Sequence, residues 1–395
     1  MQKCKEKFSE IEKIKEINSQ KVLKVFIESK ISESHFMPTS GYGYSDRGRE
    51  KLSELFSKIF KTEDALVGAG FVSGTHALST ALFGVLRPGD KILSVTGNPY
   101  DTMKDVIEGK NFGSLAEFGI TFDYIELDCE NYYEKLKEKL ESGFKAIYIQ
   151  RSRGYSLRNS LLCEEIGKII SFAKNIDPNV IAIVDNCYGE FAQTREPSEF
   201  GADLIIGSLI KNPGGGIANC GGYIAGRHDL VELCGYRLTA PGIGREIGAN
   251  PYGLKDIFMG VYNAPTVVGE ALKTAIFASA AFEIMGFEVF PKCTDLRADI
   301  VQSVVLGNEK NLVSFCRGIQ QGSPVDSFVC PEPWNMPGYE NQVVMAAGNF
   351  ISGSSIELSA DGPIREPFAV WVQGGTIFAC AKIGIMNAIE EIFNK

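Results

Sequence analysis

The stretch NVIAIVDNCYGEFAQTREPSEFGADLIIGSLIKNPGGG, from Asn179 to Gly216, decides how the chain is read. It contains two short apolar runs, and each gives way to a residue with chemistry of its own: Asp185 after the first, Ser208 and Lys211 after the second. Apolar runs without alternation mark strands buried on both faces, as in a parallel sheet covered by helices. Ligands in such sheets sit at the carboxyl ends of the strands. A carboxylate at Asp185 is costly to bury unless paired, although an aspartate there could also cap the turn that follows. Five glycines fall among the eleven residues after Lys211, and taken alone this reads as a solvated lysine beside a flexible turn. Ser208 shifts the reading. A hydroxyl three residues before the lysine can bond a phosphate while the amine reaches a cofactor aldehyde. A desolvated lysine of lowered pKa suits Schiff-base chemistry, and the glycines would let the backbone pass close to a bound ring.

The same texture extends in both directions. ALVGAGFVSGTHALSTALFGVL (65–86) reads as strand, Gly-Thr turn and helix, and KILSVTG, ITFDYIEL and KAIYIQR read as further strands. A helix is expected around residues 161–175. The Ser73-Gly74-Thr75 turn can cradle a phosphate on its backbone N–H groups and the serine hydroxyl, aided by the helix dipole, or can simply be an N-cap. Upstream, Phe8, Ile11, Ile14 and Ile17 recur at helical spacing among Lys and Glu, which predicts an exposed amphipathic helix over 3–30. A loop rich in Gly and Tyr then leads into a helix from about residue 49 to 60. Downstream, one long apolar helix is expected over roughly 264–286, bridging to a smaller C-terminal α/β unit with strands in VVMAAGNF and SIELSA. The resulting division is an N-terminal helical arm (1–64), a large α/β domain (65–263), and a bridging helix with a small domain (264–395).

Composition excludes several function classes. With 44% hydrophobic and 23% charged residues, a net charge of −9 and a pI near 5.2, the 395-residue chain is soluble in character and poorly suited to nucleic acid. It has no apolar run long enough for a bilayer and no apolar signal core at its start, so a cytoplasmic location is expected. The ten cysteines form no C-x-x-C pair and read as free thiols. Three histidines leave few parts for a zinc site or a hydrolytic triad, and no metal is expected. The reactive group is therefore expected to come from a cofactor.

The strings GYGYSDRGRE, VSGTHAL, FGVLRPGD, VDNCYGEF, GSLIKNPGGG, GGYIAGR, MPGYE and ELSADGPIREP, spread over residues 41–367, resemble fold-type I pyridoxal-phosphate (PLP) enzymes. The similarity is to the cystathionine and methionine lyase (Cys/Met metabolism) family, and within it to the branch labelled aluminium-resistance proteins. The resemblance implies an aminotransferase-like fold, with a mostly parallel sheet in a large domain and a smaller C-terminal α/β domain. It also implies PLP joined to Lys211, Asp185 facing the pyridine nitrogen, and Ser73, Gly74, Thr75 and Ser208 around the phosphate. Tyr100 would stack over the ring. The family's Tyr-x-Arg element, reaching the phosphate from a neighbouring subunit, is matched by Tyr44 and Arg47 at a spacing one residue longer, so a homodimer or homotetramer with a shared site is implied. Arg365 is the candidate clamp for a substrate α-carboxylate, because Glu357 occupies the strand position where relatives carry an arginine; a surface salt bridge is its other reading. Arg151, Ser152 and Arg153 stand where relatives have a Pro- and Asn-containing turn.

The function these features imply is a PLP-dependent carbon–sulfur lyase. It would remove the α proton of a sulfur-containing amino acid with Lys211 as base and then expel sulfur from the β or γ carbon. Transamination or aldol cleavage on the same scaffold, a nucleotide-binding oxidoreductase, and a non-catalytic PLP-binding stress protein are the alternatives. The oxidoreductase lacks a G-x-G-x-x-G after the first strand of the sheet.

Overall fold

The computed structural model of the protein describes residues 2–393. Its elements run α1 (Lys5–Glu28), α2 (Arg47–Ile59), β1 (Asp64–Gly68), α3 (Gly74–Val85), β2 (Lys91–Ser94), α4 (Asp101–Glu108), β3 (Thr121–Tyr124), α5 (Tyr132–Glu141), β4 (Ala146–Gln150), α6 (Cys163–Ile176), β5 (Ile181–Asp185), β6 (Leu204–Ser208), β7 (Gly222–Gly226) and α7 (His228–Leu238). The long α8 (Lys255–Ile284) leads to β8 (Glu288–Phe290), β9 (Gln302–Val305), α9 (Glu309–Gln321), β10 (Val343–Ala346), β11 (Ser359–Pro363), β12 (Ala369–Gln373) and α10 (Phe378–Phe393).

A seven-stranded sheet has the order β1-β7-β6-β5-β4-β2-β3. Strands β6, β5, β4, β2 and β3 are parallel, while β7 runs antiparallel between β6 and β1. The apolar runs are buried on both sides, as their lack of alternation requires. Ile181 and Ile183 pack with Leu78, Leu82 and Val231 on one face, and Ala182 and Val184 with Ile166, Ile170 and Phe258 on the other. The second sheet, β10-β11-β12-β9-β8, is antiparallel and is covered by α9 and α10. No helix among the described residues is long and apolar enough to cross a membrane.

Three local expectations need correction. The first helix is not an exposed one. Ile11, Val22 and Val25 are buried, Asn18 donates to the carbonyls of Phe191 and Gln193 at 3.0 Å each, and Phe8 meets Phe378 edge-on at 5.1 Å. Ile17, read as part of its apolar face, is instead 51% exposed. The bridging helix begins at Lys255 rather than near residue 264 and carries Pro265 inside it. The glycines after Lys211 serve packing: a Cβ on Gly215 would lie 2.4 Å from the Gly260 carbonyl oxygen of α8, and one on Gly214 would overlap the Leu209 carbonyl. Side chains are absent there because two backbones touch.

Candidate active site

The carboxyl ends of β4, β5 and β6, the start of α3 and the inner face of the small domain enclose a cavity of about 450 Å³. Thr75, Tyr100, Asp185, Lys211 and Arg365, chosen from distant parts of the sequence, all line it. Asp185, the last residue of β5, is 4% exposed; its Oδ1 accepts from Cys187 N at 3.1 Å and its Oδ2 from the Tyr148 hydroxyl at 3.3 Å. Burial holds its pKa above the ordinary carboxylate range against the opposing pull of Lys211.

Lys211 follows β6, and its Nζ stands 4.1 Å from the centre of the Tyr188 ring. Among the described residues it makes no ion pair. Burial acts to lower its pKa, as the sequence reading expected, but the acidic groups around it, Cys187, Tyr188, Tyr100 and Asp185, outweigh burial and hold it well above the ordinary lysine value. The direction is therefore the reverse of the expected one. Asp185 and Lys211 thus share a cavity with no ion pair between them among the described residues, an arrangement that leaves both to be met by a bound group.

Ser73 caps α3, its hydroxyl accepting from His76 N at 3.1 Å. A Cβ on Gly74 would crowd Ser208, standing 3.0 Å from its Cβ and 3.7 Å from Cys187 Sγ. The helix start therefore lies directly against Ser208, and its unpaired N–H groups point where an anion is favoured. Thr75 Oγ1 bonds the Tyr100 hydroxyl at 3.1 Å, and Tyr100 N donates to Gln150 Oε1 at 3.1 Å. Burial, reinforced by Asp185, pushes the Tyr100 phenol well above its ordinary pKa, so it stays a proton donor. Anion cradle, buried carboxylate and buried amine fit a phosphate-bearing aldehyde with a ring nitrogen.

Other residues lie elsewhere or were not foreseen. Tyr44, 65% exposed, rests on Tyr42, and Arg47 lines a separate surface cleft with His35 and Glu54; neither reaches this cavity within one chain. Glu357 precedes β11 and binds the backbone N–H groups of Phe350 and Ile351 at 2.9 and 3.0 Å, so it is not the strand position facing the site. That place belongs to Asp361, with Trp371 opposite it in register on β12. Arg365 is exposed at the rim and donates to Asn341 Oδ1 at 3.3 Å. Arg151 turns away beneath the sheet to Asn186, Glu196 and Gln193. Ser152 binds Asp299 at 2.7 Å, and Arg153 binds Phe290 O at 2.8 Å and Ser303 Oγ at 3.1 Å, so these two tie the turn to the small domain. Tyr188 could have been found from its place in VDNCYGEF; Tyr155, Asp361, Trp371 and Gln373 carried no local signal. No group of three His, Cys, Asp or Glu among the described residues could hold a metal.

Below the site, Glu190 accepts from the Tyr223 hydroxyl at 2.9 Å on Oε1, while Oε2 is buried without a partner. Burial, with the Glu196 carboxylate adding to it, raises the Glu190 pKa from 4.5 to about 8. The folded state then holds a proton that the unfolded chain releases, so stability is lost as pH rises through that window. Glu190→Gln is expected to remove this loss, its stability advantage over wild type growing by roughly 1.4 kcal/mol per pH unit across the window. Denaturant titrations from acid to mildly alkaline pH measure it; parallel curves for the two proteins would refute the assignment.

Comparison with known proteins adds three findings and a family. The methionine gamma-lyase family model matches residues 1–393. The chain is 46% identical to the Bacillus subtilis protein YnbB over 391 residues, 98% of this chain and 93% of that one. A crystal structure named as a carbon-sulfur lyase involved in aluminum resistance, from Clostridium novyi, superposes with a TM-score of 0.95 at 49% identity, covering 99% of this chain and 94% of its own. The PLP-dependent protein YhfS of Escherichia coli, 15% identical, shares the fold at a TM-score of 0.65 over 98% and 97% of the two chains, which makes the architecture fold type I.

Proposed function

The chain belongs to the methionine gamma-lyase family, whose members are PLP-dependent enzymes, and on that premise we propose that it is a carbon–sulfur lyase acting on a sulfur-containing amino acid. The observation that carries the reading is Lys211 lining one cavity with Asp185 and the α3 helix start. Gly74, Thr75, Ser73 and Ser208 would hold the cofactor phosphate, Asp185 the ring nitrogen, and Lys211 the aldehyde. When bound, PLP supplies a sink for the electron pair left at the substrate α carbon.

The chain's own residues supply the rest. The Lys211 amine takes the α proton and later returns it as general acid. Tyr188, with its ring 4.1 Å from that amine, limits where the amine can swing. Tyr100, fixed by Thr75 and Gln150, presents a protonated phenol over the site. Arg365 at the rim takes the α-carboxylate, and Tyr44 and Arg47 reach the phosphate of a neighbouring copy, so the working unit is a homodimer or a tetramer of such pairs. The exposure of Tyr42 (70%), Tyr44 (65%) and Tyr252 (100%) supports a covering partner there.

A product assay tests the function. Purified protein with PLP and a panel of sulfur amino acids is expected to release keto acid, ammonia and a thiol together. Keto acid without ammonia would make it a transaminase, and cofactor binding without turnover on any amino acid would leave a PLP-binding protein. Tyr100→Phe is expected to lower kcat by about ten- to a hundredfold, since only the phenolic proton is lost. Steady-state kinetics check it, and an unchanged kcat would reduce Tyr100 to a packing role.

A further inference from the structure

The small-domain wall of the cavity carries a carboxylate that the mechanism does not use. Strand pairing puts Asp361 opposite Trp371, and Ser359 opposite Gln373, on the face of β11 and β12 turned away from the α9 core, where Ala360 packs. Asp361 Oδ2 accepts from the Tyr155 hydroxyl and Oδ1 from Gln373 Nε2 at 3.1 Å. Both donors are neutral. Among the acids lining this cavity, Asp101 has Lys104 at 3.2 Å, while Asp185 and Asp361 both feel the field of Lys211 and neither has an ion pair among the described residues; Asp185 is the one assigned to the cofactor, which leaves Asp361. Arg365 at the rim is turned to Asn341, and Arg153 is spent on Phe290 O and Ser303 Oγ.

Aromatic rings surround this charge. Tyr155 lies 5.0 Å from the Trp371 ring and 5.9 Å from that of Tyr339, tilted in both cases, and all three line the same cavity. Three aromatic rings lining the same wall as a carboxylate without an ion pair form a pocket suited to a cation, since such rings attract positive charge and exclude water. Burial raises the Asp361 pKa against the opposing pull of the Tyr155 and Gln373 hydrogen bonds and of Lys211, and a bound cation would draw it back down.

We propose that Asp361, with Tyr155, Trp371 and Tyr339, selects amino acids whose side chain carries a positive charge, either a sulfonium or an ammonium group. This rests on the lyase reading and sharpens its substrate class. A sulfonium suits the chemistry as well as the pocket. The C–S bond breaks with its electron pair on sulfur, so the leaving group departs as a neutral thioether and needs no proton. With one water consumed, S-methyl-L-methionine yields 2-oxobutanoate, ammonium, dimethyl sulfide and a proton.

Two matched pairs test it on the PLP-loaded enzyme: S-methyl-L-methionine against L-methionine, and S-(2-aminoethyl)-L-cysteine against S-propyl-L-cysteine. The expected result is a kcat/KM about tenfold or more higher for the charged member of at least one pair, the pair identifying sulfonium or ammonium. That ratio is expected to fall about tenfold in Asp361→Asn. A latch between the domains, the structural alternative, would slow both members equally and leave the ratio intact. Should Asp361→Asn fail to fold, Trp371→Leu is read the same way. Ratios near one in the wild type, or unmoved in the variants, overturn the proposal while keto acid release still upholds the lyase. If nothing is turned over, calorimetric binding decides it. Tighter binding of the charged members, lost in the variant, sustains the cation pocket without the lyase, and equal binding removes both.

Discussion

Lys211→Ala is expected to abolish the yellow absorbance of the PLP-loaded protein and to lower kcat by at least about a thousandfold, the upper range for loss of a positioned acid–base group. Among the described residues, Lys211 is the only lysine lining this cavity besides Lys104, and Lys104 is held by Asp101 at 3.2 Å on α4. No other amine among the described residues lines the cavity free to take its part. Wild type treated with borohydride is expected to lose its colour and gain the cofactor mass on the peptide containing residue 211; the variant is expected to do neither. Circular dichroism serves as the control that the fold survives the change. A variant that keeps its colour and its turnover would end the assignment.

The second large effect is expected from Asp185→Asn. An amide matches the carboxylate in shape and can keep the Cys187 N–H bond, but it carries no charge to oppose a protonated ring nitrogen. Fixed charges in a dry site are worth far more than in water. The expected loss is about a hundredfold or more in kcat with a much smaller change in PLP affinity. Steady-state kinetics and a cofactor titration separate the two effects. Equal loss in binding and kcat would mean that Asp185 merely holds the cofactor, and no loss in either would move the nitrogen partner elsewhere.

The fold could be read from the sequence because burial on both faces writes itself into each strand. VIAIV and LIIG have no polar residues, and the positions that follow them, Asp185 at once after the first and Ser208 and then Lys211 after the second, are where a parallel sheet opens to ligands. β7 was harder, since GGYIAG is short and glycine-rich and owes its place to pairing with β1 and β6. SIELSA was assigned a strand that begins only at Ser359. That shift turned Glu357, an acceptor for two loop amides, into an apparent site residue and hid Asp361.

Local order along the chain determined the large-domain architecture, the helix-start anion cradle and the pairing of one aspartate with one lysine. Those depend on which residues end a strand or begin a helix, and that information lies within a few positions of each residue. Only the tertiary structure decided that Asp361 faces Tyr155 and Trp371, that Arg365 sits at the rim, and that Tyr44 and Arg47 stay outside the cavity of their own chain. The physical reason is that strand register and the seating of one domain on another are set by the summed packing of distant surfaces, which no short stretch of sequence contains.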